Sequence, residues 1–137
     1  MQITLTDAPD PAAREVIVGG LIAYNEAHAG PRSWRPLAVL LHDEAGAVVG
    51  GLWGGTAYGW LFTELLFVPE ALRGRGLGAE LLARAEAEAL ARGCVGAWLD
   101  TFAFQARGFY ERLGYSLFGE IEGYPPGSAR YFLMKRM

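Results

Sequence analysis

The chain has 137 residues, of which 52% are hydrophobic and 20% are charged, and its formal net charge at pH 7 is −3. This composition is typical of one compact domain with a buried core, and we expect residues 1–137 to form a single domain. The acidic balance argues against a nucleic-acid-binding protein, because such proteins usually carry an excess of Lys and Arg.

The sequence also argues against a membrane or metal protein. No apolar run approaches the roughly 18 residues of a membrane span, and the N-terminus lacks the apolar core of a signal peptide. The lone cysteine, Cys94, fits a reducing compartment, so we expect a cytoplasmic protein. Together with His28 and His42 it offers too few ligands for a zinc site, and we expect no metal.

The first half of the chain predicts a strand, a helix and a meander of three strands. Residues 2–6 alternate apolar and polar side chains, which is typical of a strand. Asp10 before Pro11 predicts a helix start, and this helix should run to about Ala27. Its apolar stripe, expected to be buried, consists of Ile17, Gly20, Leu21 and Tyr24, with His28 at its end. The three strands are expected at 37–41, 47–53 and 60–68, with turns at 43–46 and 54–59.

The second half predicts a glycine-rich loop and helix, then a strand at 95–99, a helix at 104–113 and strands at 115–122 and 129–135. The helix after the loop has an apolar stripe formed by Leu77, Leu81, Leu82, Ala85 and Leu90. The predicted order is β-α-βββ-α-β-α-ββ. It corresponds to an α+β fold with a mixed, mostly antiparallel sheet of about six to seven strands and helices on both faces.

The loop between strand 60–68 and this helix has the composition of a phosphate-binding site. Gly74, Gly76 and Gly78 allow bare backbone to approach a ligand, and the first N–H groups of a helix have no intrahelical partners. The helix dipole makes this end positive, and Arg73 and Arg75 add two charges. The segment therefore predicts an anion site for a phosphate compound.

Three other interpretations of the glycine-rich loop can be compared. A P-loop is excluded, because no Gly-Lys-Ser/Thr follows the glycines. A dinucleotide fingerprint fits Gly74-x-Gly76-x-x-Ala79, with Asp100 ending a later strand. Against this NAD(P)-dependent alternative, residues 69–73 separate the strand from the first glycine, and repeated βαβ units are missing. The third alternative is a helix whose start is merely rich in glycine.

Two motifs resemble the GNAT superfamily of N-acyltransferases. Arg73-x-x-Gly76-x-Gly78, after a strand and at a helix start, resembles the family's pyrophosphate loop. The segment from Ala106 to Tyr115, with Phe109-Tyr110 and Gly114-Tyr115, resembles its second signature. The predicted element order also matches this fold. There are two departures: one N-terminal helix is present where the family usually has two, and Ala103 stands where the family often has asparagine.

The resemblance implies that acetyl-CoA is the co-substrate and that an amine is the acceptor. The loop would bind the pyrophosphate, and the end of the preceding strand would pair with the pantetheine arm beside a splay between strands. The residues that the resemblance assigns to coenzyme A are Leu66, Phe67, Val68, Arg73, Gly74, Arg75, Gly76, Leu77, Gly78 and Ala79.

Two residues are candidates for acid–base catalysis of acetyl transfer. Glu64 is the only charged residue in an apolar strand, where desolvation should raise its pKa, and in several members of this family a glutamate on the same strand is the base. Tyr110 matches the tyrosine of the second signature and would protonate the leaving thiolate. The alternatives are a solvated surface glutamate and an ordinary core tyrosine. A module that binds coenzyme A without catalysis is the competing function.

The remaining predictions concern the acceptor and the other polar residues. Cys94, His28 and His42 are expected to be structural. The resemblance implies that the acceptor is a primary amine of a small molecule or peptide. Aromatic residues favour a cationic amine, whereas Arg32, Arg35 and Arg130 would equally suit a carboxylate. The weaker candidates for acceptor contact are Trp34, Tyr58, Asp100 and Tyr124, with Asp100 equally suited to helix capping. The last two strands offer an edge for a possible homodimer.

Overall fold

The computed structural model describes residues 1–137, which form two compact units, Met1–Arg32 and Ser33–Met137. The first unit consists of helix α1 (Pro11–Ala29) and the segment before it. The Asp10 carboxylate accepts a hydrogen bond from the Ala12 N–H at 2.9 Å, with Pro11 in the first turn, as the sequence predicted. The helix ends at Gly30, whose φ is +79°.

Two predictions for this unit are wrong. Residues 2–6 form no strand, and Ile3 and Leu5 are fully exposed. Alternation predicts which face of a strand is apolar but supplies no partner for its hydrogen bonds, and this unit contains no second strand. The apolar stripe of α1 is also exposed, with Ile17 at 63%, Leu21 at 56% and Tyr24 at 63%. A single helix has no second layer within its own unit against which to bury such a stripe.

The second unit contains a six-stranded sheet in the order β1-β2-β3-β4-β6-β5. The strands are β1 (Arg35–His42), β2 (Val48–Ala57), β3 (Trp60–Phe67), β4 (Gly96–Phe102), β5 (Ser116–Glu122) and β6 (Ala129–Arg136). All neighbouring strands are antiparallel except β3 and β4, so the predicted mixed, mostly antiparallel sheet is confirmed. None of the helices is both long enough and apolar enough to cross a membrane.

Two helices and one short 3-10 helix complete this unit. The 3-10 helix Glu70–Leu72 precedes α2 (Leu77–Ala91), and α3 (Arg107–Arg112) follows β4. Helix α3 is shorter than the predicted 104–113, because residues 102–105 form a turn in which Gln105 Oε1 accepts hydrogen bonds from the Phe102 N–H at 2.7 Å and the Thr101 hydroxyl at 2.8 Å.

The predicted turn at Gly54-Gly55 is wrong, because β2 runs through both glycines to Ala57 and the turn lies at Tyr58-Gly59. A Cβ on Gly54 would lie 2.0 Å from the Phe62 carbonyl oxygen, and one on Gly55 would lie 2.4 Å from the Trp34 ring. These glycines therefore allow close approach within the strand rather than a change of direction.

The core lies between α2 and the sheet. Helix α2 buries Leu81, Leu82, Ala85 and Ala89, whereas Leu90, expected in the stripe, is 53% exposed. The largest fully buried sheet residues are Leu52, Leu61, Leu99 and Leu133. One face of the sheet is thus packed under α2, and the C-terminal end of β3 is brought to the start of that helix.

Candidate active site

The parallel pair β3–β4 opens into a slot at its C-terminal end. The two strands are paired only from Trp60 to Thr63 and from Gly96 to Leu99. Beyond these residues β3 continues to Phe67 and β4 to Phe102 without pairing to each other. Residues 64–67 of β3 therefore have unpaired backbone groups on the side that faces β4, and a ligand with amide groups can bond there as an added strand would.

Glu64 is the extra residue of a β-bulge at the mouth of this slot. Trp53 of β2 pairs with Leu65 and Gly54 pairs with Thr63, so Glu64 has no partner residue in β2. A bulge changes the direction of a side chain and is frequent near active sites. Glu64 is exposed, and the expectation of a desolvated carboxylate is therefore wrong. Glu64 is therefore distinguished by its position in the bulge and not by burial.

The glycine loop presents bare backbone at the start of α2. Gly74 and Gly76 have φ values of +78° and +76°, and a Cβ on either would meet no atom within 4 Å. The first helical hydrogen bond runs from the Glu80 N–H to the Gly76 carbonyl oxygen at 3.0 Å. The N–H groups of residues 77–79 consequently have no intrahelical partner, and open space lies over the turn, as an anion site requires.

The two arginines of the loop differ in their contacts. Arg73 donates from Nε to the Val68 carbonyl oxygen at 2.9 Å and so braces the loop against the end of β3. Arg75 is exposed and makes no hydrogen bond or ion pair with the protein. Its guanidinium is therefore free to pair with a phosphate of a bound ligand.

The third glycine has a packing role that the sequence did not reveal. A Cβ on Gly78 would lie 3.2 Å from Cζ of Phe109 and 3.9 Å from a methyl group of Val68. The first turn of α2 therefore contacts α3 through Phe109. The Tyr110 ring packs edge-to-face on the other side of this contact, with its centroid 5.1 Å from that of Phe109.

Tyr110 is 8% exposed and packs edge-to-face on Phe109 and Tyr115, with ring centroids 5.1 and 6.0 Å away. Burial raises the pKa of this phenol above its ordinary value of 10.0. No protein group hydrogen-bonds to its hydroxyl. Packing thus fixes the ring of Tyr110, and its protonated hydroxyl donates no hydrogen bond to the protein.

The face of the sheet opposite α2, which we call the outer face, carries a second group of side chains beside the slot. Phe62 of β3 and Trp98 of β4 stack with ring centroids 4.4 Å apart. Asp100 follows on the same face of β4 and forms an ion pair with Arg130 of β6. Asp100 is therefore neither a free carboxylate nor a helix cap.

Phe102, Phe104 and Tyr124 form an aromatic shelf next to this ion pair. The Phe102 ring lies 5.1 Å from Phe104 and 5.5 Å from Tyr124, measured between centroids. The Arg130 guanidinium lies 4.1 Å above the Phe102 ring and 6.0 Å from that of Tyr124. Phe102 and Phe104 were not predicted as site residues, although their alternation at the end of a strand was a visible signal.

The other predicted residues lie elsewhere. Tyr58 is in the β2–β3 turn and Trp34 packs on Gly55, both at the end of the sheet opposite the slot. Cys94 is buried, which raises the pKa of its thiol. His28 and His42 have Nδ1 within 2.8 and 3.1 Å of the carbonyl oxygens of Tyr24 and Gly46. These contacts are structural.

Comparison with known proteins identifies the family. The model of the acetyltransferase (GNAT) family matches residues 9–115. An acetyltransferase of Agrobacterium fabrum, Atu2258, is 43% identical over 136 residues, which are 99% of both chains. The chain belongs to the GNAT acetyltransferase family.

Two further comparisons agree with this assignment. Blasticidin-S acetyltransferase of Streptomyces morookaense is 46% identical to this GNAT chain over 107 residues, 75% of this chain and 79% of the relative. A crystal structure from Agrobacterium tumefaciens superposes with a TM-score of 0.95 at 42% identity, covering 100% of both chains. The predictions of a GNAT fold and of an N-acetyltransferase are confirmed, and the dinucleotide-binding alternative is wrong.

Proposed function

We propose that this GNAT enzyme transfers an acetyl group from acetyl-CoA to the primary amine of a small molecule or peptide, by direct attack in a ternary complex within the cytoplasm. The name of the Streptomyces morookaense relative, blasticidin-S acetyltransferase, favours a small-molecule acceptor. Holding the thioester and the amine together in one slot can itself supply roughly 7–11 kcal/mol of the barrier reduction.

Acetyl-CoA would occupy the glycine loop and the slot. Its pyrophosphate would accept hydrogen bonds from the backbone N–H groups of residues 75–79 and pair with Arg75, while the α2 dipole adds positive potential. The pantetheine arm would bond to the unpaired backbone of Leu66, Phe67 and Val68. One backbone N–H near Val68 would then polarise the thioester carbonyl.

Glu64 is proposed as the general base. Its bulged position at the mouth of the slot and its exposure favour proton removal from the ammonium through an intervening water, because a solvated carboxylate can pass the proton to bulk solvent.

Glu64→Gln should lower kcat by about 100-fold and leave acetyl-CoA affinity unchanged. Steady-state kinetics and calorimetry measure both quantities, and full turnover in this variant would assign the base to another group.

Tyr110 is proposed as the general acid. The Gly78–Phe109 contact brings its helix to the phosphate turn, and its phenol is buried and protonated. It would donate its proton to the departing thiolate of coenzyme A and recover one from solvent.

The observation that carries the proposal is the open turn at Gly74 and Gly76, set against the slot by the Gly78–Phe109 contact. The decisive experiment is Gly76→Glu, which places a side chain and a negative charge where the pyrophosphate would lie. We expect at least about a 100-fold loss of acetyl-CoA affinity by isothermal titration calorimetry, which corresponds to roughly 2.7 kcal/mol.

Gly46→Glu is the matched control. Gly46 lies in the β1–β2 turn with a φ of +85°, and a Cβ added there would meet no atom within 4 Å, as at Gly76, so both variants suffer the same backbone strain. Gly46→Glu should bind acetyl-CoA normally. Unchanged affinity in Gly76→Glu would remove the loop from the coenzyme site, and equal losses in the two variants would attribute the effect to strain.

A further inference from the structure

The outer face of the sheet defines the side from which an acceptor approaches the slot. Helix α2 with its glycine loop and α3 with Tyr110 pack on the other face, where Leu61, Leu99 and Tyr110 belong to the same buried core. If acetyl-CoA binds as proposed above, its pantetheine arm enters along that covered face. The attacking amine must then reach the thioester carbon from the outer face, past Phe62, Trp98 and Asp100.

The aromatic shelf offers exposed apolar surface on this side of the slot. Phe104 is 68% exposed and Tyr124 is 50% exposed, whereas Phe102 is half-buried beneath Arg130. The rings of Phe102 and Phe104 are within 11° of parallel. They are stacked, so Phe102 covers one face of the Phe104 ring, and the 68% exposure of Phe104 leaves its other face open. An exposed apolar surface next to a reaction site is typical of a ligand-binding area.

The charges beside the shelf argue against a polycationic acceptor. Next to the shelf, the Asp100 carboxylate is paired with Arg130, which neutralises its charge. The Arg130 guanidinium also lies over the rings of Phe102 and Tyr124, at the position that a ligand cation would occupy in a cation–π contact. Because Arg130 and Asp100 form a pair with no net charge, nothing in this pair attracts additional ammonium groups on the acceptor.

We propose that the acceptor is a primary amine attached to a planar, unsaturated ring, and that this ring stacks on Phe104 and Tyr124 while the amine extends into the slot toward Glu64. This inference rests on the proposed acetyl transfer and adds the class of acceptor. It selects the flat-ring amines from the broader set of small-molecule and peptide amines.

A pair of amines of equal reach tests the role of ring planarity. Thiol release from acetyl-CoA is measured with 2-phenylethylamine, with 2-cyclohexylethylamine and with spermidine as a polycationic probe. We expect kcat/KM for 2-phenylethylamine to exceed that for the cyclohexyl compound by about fivefold to tenfold, the range that one aromatic pair supplies. Spermidine should be the poorest acceptor. Equal rates for the two ring amines, or a preference for spermidine, would overturn the proposal.

Substitutions of shelf residues test whether the shelf causes the preference for the planar ring. Phe104→Leu and Tyr124→Leu should each reduce the ratio for the two ring amines to within about twofold and leave the KM for acetyl-CoA unchanged. Phe118→Leu is the control, because Phe118 is 55% exposed on edge strand β5 and packs on Phe132 rather than on the shelf. A ratio that persists in both shelf variants contradicts the assignment.

A binding measurement separates this inference from the catalytic proposal. In saturation-transfer NMR with coenzyme A present, the ring protons of 2-phenylethylamine should receive strong transfer from the wild-type protein and weak transfer from Phe104→Leu. Strong saturation transfer without thiol release would support the flat-ring site and contradict the proposed acetyl transfer. Thiol release without this transfer would retain acetyl transfer and reject the flat-ring site.

Discussion

Tyr110 combines a fixed ring with an unused hydroxyl donor, which are two properties that a proton donor to a leaving thiolate needs. Packing on Phe109 and Tyr115 holds the ring, and burial raises the pKa of the phenol above 10.0. Tyr110→Phe keeps the ring and removes the donor, so we expect kcat to fall by about 100-fold while the KM for acetyl-CoA changes by less than about twofold. Single-turnover kinetics with a saturating amine measure the chemical step directly.

The raised pKa of Tyr110 also leads to a prediction about the pH dependence of kcat. Because burial raises the pKa of Tyr110 above its ordinary value of 10.0, the midpoint of its deprotonation lies above pH 10, and its donor function is lost mainly at higher pH. The wild-type profile of kcat should therefore show no alkaline decline below about pH 10 that is absent from Tyr110→Phe. A decline with a midpoint near pH 8 that disappears in this variant would contradict the raised pKa. Full activity of the variant at pH 7 would instead favour the non-catalytic role for this side chain.

At the scale of secondary-structure elements, Arg92 joins the end of α2 to the first two strands. Its guanidinium donates to the Arg35 and Pro36 carbonyl oxygens and to the Thr56 hydroxyl, each at 3.2 Å, and pairs with Glu88 at 2.9 Å. The side chain is only 12% exposed, so Arg92→Met would leave several acceptors without a partner. We expect this variant to lose about 3 kcal/mol of unfolding free energy in urea.

Arg84→Met is the control on the same helix. Arg84 pairs with Glu80 at 2.6 Å, but the two side chains are 69% and 55% exposed, and an exposed pair contributes little. Its unfolding free energy should change by less than about 0.5 kcal/mol. Equal losses in the two variants would mean that the contacts of Arg92 with the strands add nothing to an ordinary helical ion pair.

The secondary-structure elements also show which parts of the candidate site could be predicted from the sequence and which could not. The loop, α2 and Tyr110 were predicted because their signals are local: glycine spacing, helical periodicity and a contiguous motif. The bulge at Glu64 depends on the register between β2 and β3, and the Asp100–Arg130 pair joins β4 to β6. Such contacts depend on pairing between distant segments, which the local pattern does not encode. The same reason explains why residues 2–6 were wrongly predicted as a strand.

At the scale of the whole molecule, the exposed stripe of α1 predicts self-association. Ile17, Leu21 and Tyr24 are each more than half exposed at spacings of four and three residues, so they line one side of a helix. Contiguous apolar surface of this kind is typical of an interface between proteins. We predict that the enzyme forms a homodimer that buries this stripe, and light scattering coupled to size-exclusion chromatography measures the mass.

Two lysine substitutions separate this interface from a general effect of surface charge. Leu21→Lys places a charge in the middle of the stripe, where burial against a second copy would cost several kcal/mol, so the dimer should dissociate at micromolar concentration. Leu90→Lys changes a leucine of α2 that is 53% exposed and should leave the mass unchanged. Because β5 is an edge strand, a dimer that survives Leu21→Lys would instead favour pairing through β5. A wild-type protein that elutes as a monomer at tens of micromolar would refute self-association through either surface.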